Sequence, residues 1–189
     1  MTMGCYSEVS DADLVSMAAK DPDAFGELFT RHSRAVYAYC ARRTGDAHQA
    51  EDLTSVVFLE AFRRRRKLQL SNTSALPWLL GVANNVTRNA ERSLRRHRSA
   101  LARVPPPSDS ASSEDEAIGR IEAQQALARA TEALRPLSQA ERDVVLLVLW
   151  GELSYAEAAS SLSIPVGTVR SRLASARQKF ATAAITPTM

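Results

Sequence analysis

The stretch Leu153–Phe180, LSYAEAASSLSIPVGTVRSRLASARQKF, contains the strongest local signal in the chain, because it predicts two short helices joined by a tight turn. Ser154 followed by Glu157 has the spacing of a capping box and predicts a first helix over Tyr155–Leu162. Pro165 cannot continue that helix, so it marks a turn before the second one. Two helices with a connection of this length are typical of a helix-turn-helix.

The second of these helices, predicted from about Val166 to Phe180, has one apolar face and one basic face. Its apolar residues recur every three or four positions and are expected to face inward: Val166, Val169, Leu173, Ala176 and Phe180. The small residues Ala158 and Ala159 on the first helix would let the two helices approach closely. No acidic residue lies between Pro165 and Phe180, so the remaining surface is basic.

That basic face is predicted to bind duplex DNA. The outward side chains are expected to be Thr168, Ser171, Arg172 and Ser175, flanked by Arg170, Arg177 and Lys179. A helix of this kind can enter the major groove, where arginine binds guanine and serine binds several base edges. The flanking basic residues would contact phosphates and make binding sensitive to salt. The alternative is a solvated basic helix on a helical hairpin.

A second basic cluster lies near the middle of the chain. It consists of Arg88, Arg92, Arg95, Arg96, Arg98 and Arg103, opposed only by Glu91. Asn84, Asn85 and Asn89 belong to the same predicted helix, and Trp78 lies near its start. Amide side chains can bind exposed base edges, and an aromatic ring can support an unstacked base. The alternative is a solvated helix end whose arginines lie favourably at the negative end of the helix dipole.

The rest of the chain also predicts helices, so we expect an all-α fold. The 189 residues include only 7 glycines and 8 prolines, and no strand-like alternation of β-branched residues occurs. Helix starts are predicted after Ser10, Asp21, Asp46 and Ser138, which have the side chains preferred at an N-cap. Gly45 is predicted to end the second helix.

Several side chains are expected to pack inside these helices. His32 and Cys40 lie on the apolar stripe of the second helix, which favours a packed histidine and a small core cysteine. Leu94 is expected to be buried on the fourth helix. The segment Val144–Trp150 contains no polar residue and is expected to form the buried body of a later helix.

Composition predicts two domains and a linker. Residues 105–113 are rich in proline and serine, and the acidic run Glu114-Asp115-Glu116 follows them. We therefore expect two small helical domains, over residues 8–103 and 117–185, joined by a flexible linker over residues 104–116. The C-terminal domain would contain the helix-turn-helix.

Composition also limits the compartment and the chemistry. The longest apolar run is far shorter than the ~20 residues of a membrane span, and the N-terminus has no secretory pattern, so we expect a cytoplasmic protein. We find no glycine-rich phosphate loop, no metal-spaced cysteines or histidines and no catalytic constellation. We therefore expect a non-enzymatic protein without cofactor or metal. Cys5 and Cys40 could sense redox state, although ordinary packing is the simpler interpretation.

Three motifs in order resemble one protein family. ELSYAEAA at Glu152–Ala159 and IPVGTVRSRL at Ile164–Leu173 resemble the last region of bacterial extracytoplasmic-function (ECF) sigma factors. AEDLTSVVFLEAF at Ala50–Phe62 resembles the helix of that family that binds core RNA polymerase. PWLLGVANN at Pro77–Asn85 resembles its downstream-promoter segment.

The resemblance implies a role for each domain. The first would bind core polymerase through Glu51, Asp52, Ser55, Phe58 and Leu59. It would also melt the minus-10 element using Trp78, Asn84, Asn85, Arg88, Asn89 and Arg92, with Asn85 at the position that captures a flipped base. The second would bind the minus-35 element with the basic face of its last helix: Thr168, Arg170, Ser171, Arg172, Ser175, Arg177 and Lys179. The implied partners are core RNA polymerase, promoter DNA and an anti-sigma factor.

The residues alone leave two other functions open. One is an autonomous helix-turn-helix regulator, which would bind duplex DNA tightly without polymerase. The other is a helical protein-interaction adaptor whose arginines are merely solvated. Such an adaptor would show no salt-dependent binding to DNA.

Overall fold

The computed structural model describes residues 6, 8–68, 70, 73–101 and 117–185, and all regular structure in this part of the chain is helical. This confirms the all-α prediction. The predicted linker over residues 104–116 lies outside the described residues, so the domain limits stay a prediction. The helices are α1 (Asp11–Ala18), α2 (Pro22–Thr44), α3 (Ala47–Arg64), α4 (Leu76–Leu101), α5 (Ala117–Ala133), α6 (Gln139–Val145), α7 (Tyr155–Leu162) and α8 (Val166–Ile185).

The helix starts follow the predicted caps. The side chain of Ser10 accepts a hydrogen bond from the backbone N–H of Asp13 at 3.2 Å. The carboxylates of Asp21 and Asp46 do the same for α2 and α3. Gly45 ends α2 in the left-handed conformation, with a φ of 74° that glycine adopts at little cost.

An acidic side chain joins three elements of the N-terminal part of the fold. Asp11 is buried, and its carboxylate accepts hydrogen bonds from the His32 ring at 2.7 Å and from the backbone N–H of Ala75 at 2.8 Å. Burial raises the pKa of Asp11, but these hydrogen bonds outweigh burial and leave it below its ordinary value. His32 is therefore a packed histidine with a carboxylate partner, as its place on the apolar stripe predicts.

Three predictions about burial are wrong. Leu94 is 38% exposed on the outer part of α4. The segment Val144–Trp150 is buried only in its first half, and Leu149 and Trp150 are exposed at 54% and 39%. Here α6 passes into a π-helical turn over Leu146–Trp150, whose wider winding rotates the last side chains away from the core. Val166, the first residue of α8, is 36% exposed.

The C-terminal helices pack directly on the N-terminal ones. The hydroxyl of Ser161 on α7 donates to the backbone carbonyl of Pro77 at the start of α4, at 2.6 Å. Gly81 lies beside this contact, and a Cβ atom added to it would be 2.9 Å from the carbonyl oxygen of Ser161. Only glycine allows the two backbones to come this close.

A buried ionic network lies at the same junction. Arg43 of α2 donates to Asp143 of α6 at 2.6 Å and to Glu91 of α4 at 2.6 Å. Arg88 of α4 is 3.5 Å from the second oxygen of Asp143, and the amide of Gln139 donates to Glu91 at 2.9 Å. The side chain of Arg43 has no solvent exposure. Removing one partner would therefore leave a buried charge without compensation.

The hydropathy of the helices gives one further finding. Within the part of the chain that the structure describes, no helix has the length and apolar character needed to cross a membrane.

Two glycine substitutions test the close approach of α7 to α4. Gly81→Ala should destabilise the protein, because the new Cβ would collide with the backbone of Ser161. Gly26→Ala is the matched control: Gly26 is also inside a helix, and nothing lies within 4 Å of its added Cβ. The control should stabilise by about 0.5–1 kcal/mol through helix propensity. Urea unfolding of both variants measures the difference, and equal effects would contradict the packing.

Removal of Asp143 tests the buried network. Asp143→Ala should lower the free energy of unfolding by about 3 kcal/mol, because Arg43 then stays buried with one partner fewer. Glu132→Ala removes an exposed ion pair to Arg135 and should cost less than about 1 kcal/mol. Guanidinium unfolding curves measure both free energies of unfolding. An equal loss of stability in the two variants would show that the network contributes little.

Candidate nucleic-acid interface

The helix-turn-helix is built as the sequence predicts. Ser154 and Glu157 form the expected capping box at the start of α7. Ser163 ends α7 in the left-handed conformation, with a φ of 54°. The apolar side of the pair is closed by small and branched residues that are almost fully buried: Ala158, Ala159, Val169, Leu173 and Ala176. This packing leaves one long side of α8 facing solvent.

The exposed side of α8 is rotated from the predicted one. Between Gly167 and Gln178 its exposed residues recur at helical spacing and are Gly167, Arg170, Ser171, Ala174, Arg177 and Gln178. Thr168, Arg172, Ser175 and Lys179 are half-buried on one flank of this side. Ala174 and Gln178 are therefore surface positions that the sequence analysis missed. Ala174 and Gln178 follow Arg170 by four and eight residues, and this helical spacing could have placed them on the same side.

The flank of α8 is bonded to α6 through one carboxylate. Glu141 accepts hydrogen bonds from Ser175 at 2.6 Å, from the ammonium of Lys179 at 2.6 Å and from the backbone N–H of Ser138 at 2.7 Å. The bond from Lys179 is the largest cause that lowers the pKa of Glu141 to about 2, followed by the bond from Ser175. Ser175 and Lys179, which are predicted DNA contacts, are thus hydrogen-bonded to Glu141 of the same chain.

The basic helix α4 presents a second polar surface. Asn85, Asn89 and Arg92 are exposed, and Arg92 donates to the side-chain oxygen of Asn89 at 2.6 Å. Trp78 is half-buried and lines a cleft together with Asn85. The cleft is closed on its other side by residues of the helix-turn-helix: Ser160, Ser161 and Ser163. Arg88 is half-buried and faces Asp143.

Asn84 is not part of this surface, which corrects its predicted role as a DNA contact. It is 3% exposed, and its side-chain oxygen accepts a hydrogen bond from the hydroxyl of Tyr39 at 3.0 Å. Burial raises the pKa of Tyr39, so the hydroxyl keeps its proton and remains a donor. The helical spacing of Asn84 from the buried Leu80 and Thr87 was the signal that could have placed it inside.

The predicted polymerase face of α3 is mostly exposed. Glu51, Asp52, Ser55 and Leu59 face solvent, and Leu59 is 49% exposed. Phe58 is the exception and corrects the prediction, because it is 5% exposed and its ring packs edge-to-face on Phe29 with a centroid distance of 4.7 Å. Two apolar side chains that the sequence analysis did not assign, Val56 and Phe29, are 43% and 46% exposed beside it. Exposed apolar side chains in a group are typical of a protein-binding surface.

Other reactive groups do not form a site among the described residues. No group of three or more histidine, cysteine, aspartate or glutamate side chains in the described chain could hold a metal ion. Cys40 is buried, and burial raises the pKa of its thiol to about 11. Cys5 and Arg103 lie outside the described residues, and the side chain of Arg98 is likewise outside them.

Comparison with known families gives two matches, in the order of the two helical parts. Residues 28–98 match the family described as Sigma-70 region 2. Residues 127–180 match the family described as Sigma-70, region 4. The first range contains α3 and most of the basic helix α4, and the second contains α7 and most of α8. The predicted functional surfaces therefore lie inside the two matched regions.

Whole-chain comparisons agree with the regional ones. Solved structures with the same fold include CnrH in complex with the cytosolic domain of CnrY, with a TM-score of 0.69 and 23% identity over 92% of this chain and 96% of that one. Another is the sigma factor RpoE of Bartonella quintana in complex with the anti-sigma factor NepR, with a TM-score of 0.63 and 20% identity over 82% and 93%.

Related sequences identify the family. The RNA polymerase sigma factor HrpL of Pseudomonas syringae pv. syringae is 31% identical over 140 residues, 74% of this chain and 76% of that protein. The ECF RNA polymerase sigma factor SigK of Mycobacterium tuberculosis is 30% identical over 168 residues, which is 86% of this chain and 87% of that protein. The chain therefore belongs to the ECF RNA polymerase sigma factors, which direct transcription initiation at promoters.

Proposed function

We propose that this sigma factor binds core RNA polymerase through the exposed face of α3, binds duplex promoter DNA with α8 and binds melted promoter DNA with α4. The observation that carries the proposal is the exposed side of α8. It presents Arg170, Ser171 and Arg177 to solvent, without an acidic residue between Pro165 and Phe180. A protein–protein adaptor would have no need for a helix face of this composition.

The first half of α8 supplies the base contacts in this proposal. Arg170 and Ser171 are exposed, and the partly exposed Arg172 follows them on the flank. An arginine fork can bind the two acceptors of guanine in the major groove, and a serine hydroxyl can bind either a donor or an acceptor. Arg177 lies two turns further along the same helix, where a phosphate contact would set the position of the helix on the duplex.

The exposed side of α4 supplies the contacts to an opened strand. Opening the duplex costs unpairing and unstacking energy, which a captured base and backbone contacts can offset. Asn85 is exposed and lines the same cleft as Trp78, so an amide and an aromatic side chain are available to a strand in this cleft. Further along the same helix lie three exposed arginines, Arg92, Arg95 and Arg96, which can contact the phosphates of the strand.

An anti-sigma factor is the further partner that we propose. A groove between α3 and α4 is lined by apolar side chains, including Leu53, Val56, Val82 and Val86, and by polar ones that include Arg96 and the Glu60–Arg64 ion pair. The solved structure of RpoE from Bartonella quintana is described as a complex with an anti-sigma factor. A partner helix with one apolar face and an acidic end near Arg96 would fit this groove.

Run-off transcription tests the proposal as a whole. Purified core polymerase, this chain and genomic DNA fragments should give discrete transcripts that disappear when the chain is left out. Their start sites would define the promoter used in the experiments below. Tight DNA binding by the chain alone, without any transcript, would instead favour an autonomous regulator.

Substitutions in α8 test base recognition. Arg170→Ala and Arg172→Ala should each reduce discrimination between the promoter and a scrambled upstream element by about tenfold, since a bidentate contact to a base contributes ~1–3 kcal/mol. Arg135→Ala is a control for the loss of one exposed arginine away from α8, with 79% side-chain exposure. Transcription from competing templates gives the ratio. Unchanged discrimination in both α8 variants would contradict the assignment.

Asn85→Ala tests capture of a base. Duplex binding by the holoenzyme should persist, whereas permanganate reactivity of the downstream element should fall, because the opened strand loses its amide contact. A template with an unpaired bubble over the same bases should restore much of the transcription, since the energy of opening is no longer required. Normal permanganate reactivity on the fully paired template would count against this role.

A further inference from the structure

The carboxylate of Glu141 joins two helices through three donors. Both of its oxygens are used: one accepts from the hydroxyl of Ser175, and the other accepts from Lys179 and from the backbone N–H of Ser138. Ser138 is the N-cap of α6, whereas Ser175 and Lys179 lie one turn apart on α8. The first turn of α6 is thereby bonded to the second half of α8.

The burial of the carboxylate makes this connection persistent. Glu141 is 7% exposed, and a carboxylate with so little water around it depends on its protein donors. The partner Lys179 is 40% exposed at its side chain, so a phosphate could reach it only in competition with Glu141. A charged donor bonded at 2.6 Å to a nearly buried acceptor is not equivalent to a free surface lysine.

Arg177 provides the contrast within the same helix. It is exposed, and none of the ion pairs found among the described residues includes it. Arg177 and Lys179 are two residues apart, so they point in different directions around α8. The two basic residues, which look equivalent in the sequence, therefore differ in the charge that they offer to DNA.

We infer that Glu141 is a positioning residue that holds Lys179 away from promoter DNA and fixes the second half of α8 on α6. The inference rests on the proposed function and refines it. Phosphate contact by this part of α8 then falls to Arg177, and Lys179 belongs to the support of the helix. The carboxylate also prevents an additional, sequence-independent contact to the DNA backbone, which would raise binding to every sequence alike.

The salt dependence of DNA binding by the full chain tests this inference. Each phosphate contact contributes about 0.9 to the slope of log affinity against log salt. The probe is a fluorescently labelled duplex of mixed sequence, because a phosphate contact needs no particular promoter. Five proteins are compared by anisotropy titration: the wild type, Arg177→Gln, Lys179→Gln, Glu141→Gln and the double variant Glu141→Gln with Lys179→Gln.

The expected changes in slope, relative to the wild type, differ in direction among the variants. Arg177→Gln should make the slope shallower by about 0.9, and Lys179→Gln should leave it unchanged. Glu141→Gln should make the slope steeper by up to about 0.9 and tighten binding, because Lys179 is then free to contact a phosphate. Glutamine at this position still completes the capping box of α6, so the fold should be retained, and thermal unfolding followed by circular dichroism checks this.

The double variant Glu141→Gln with Lys179→Gln controls for net charge, which it leaves as in the wild type. Its slope should match that of the wild type. A shallower slope for Lys179→Gln, or an unchanged slope for Glu141→Gln, would overturn the inference while the effect of Arg177→Gln still supports the proposed function. No salt-dependent binding by the wild type would overturn this inference alone, because the proposed function requires DNA binding by the holoenzyme, which run-off transcription tests separately. A structural role alone would not tighten binding to DNA.

Discussion

The side chain of Arg43 imposes the main constraint on this structure, because its charge has no access to water. The guanidinium lies between Asp143 of α6 and Glu91 of α4. Burial of an arginine costs several kcal/mol unless carboxylates and hydrogen bonds compensate it. The arrangement of α2, α4 and α6 around this point is therefore specified by charge and geometry as well as by apolar contact. Well-packed apolar residues could give similar stability without this directional requirement.

The helix α8 divides its polar residues between two tasks. The exposed side is free of acidic residues and is available for a nucleic acid, whereas the flank is bonded to Glu141. Residue type alone does not separate these groups, since arginine and serine occur on both. The division arises from tertiary packing, because the buried residues Val169 and Leu173 fix which side of the helix meets α6.

Local features were predictable from the sequence, and long-range ones were not. The caps at Ser138 and Ser154 each depend on a glutamate three positions later, so the local sequence is enough to predict them. The burial of Asn84 depends on the hydroxyl of Tyr39, 45 residues away, and the burial of Phe58 depends on the rings of α2. A family motif marks such a position but does not say whether its side chain faces a partner or the core. The π-helical turn over Leu146–Trp150 likewise has no signature in a purely apolar run.

By mass action, the close contact between Gly81 and Ser161 weakens the apparent affinity of the neighbouring cleft for any ligand that requires α4 and α7 to separate. The cleft beside Asn85 has one wall from α4 and one from the helix-turn-helix, so a nucleotide strand that needs more room must separate the two walls. The observed dissociation constant is then the intrinsic constant divided by the fraction of molecules whose walls are apart. Each ~1.4 kcal/mol required for separation weakens the interaction about tenfold. A partner that holds the walls apart would remove this penalty without contacting the strand at all.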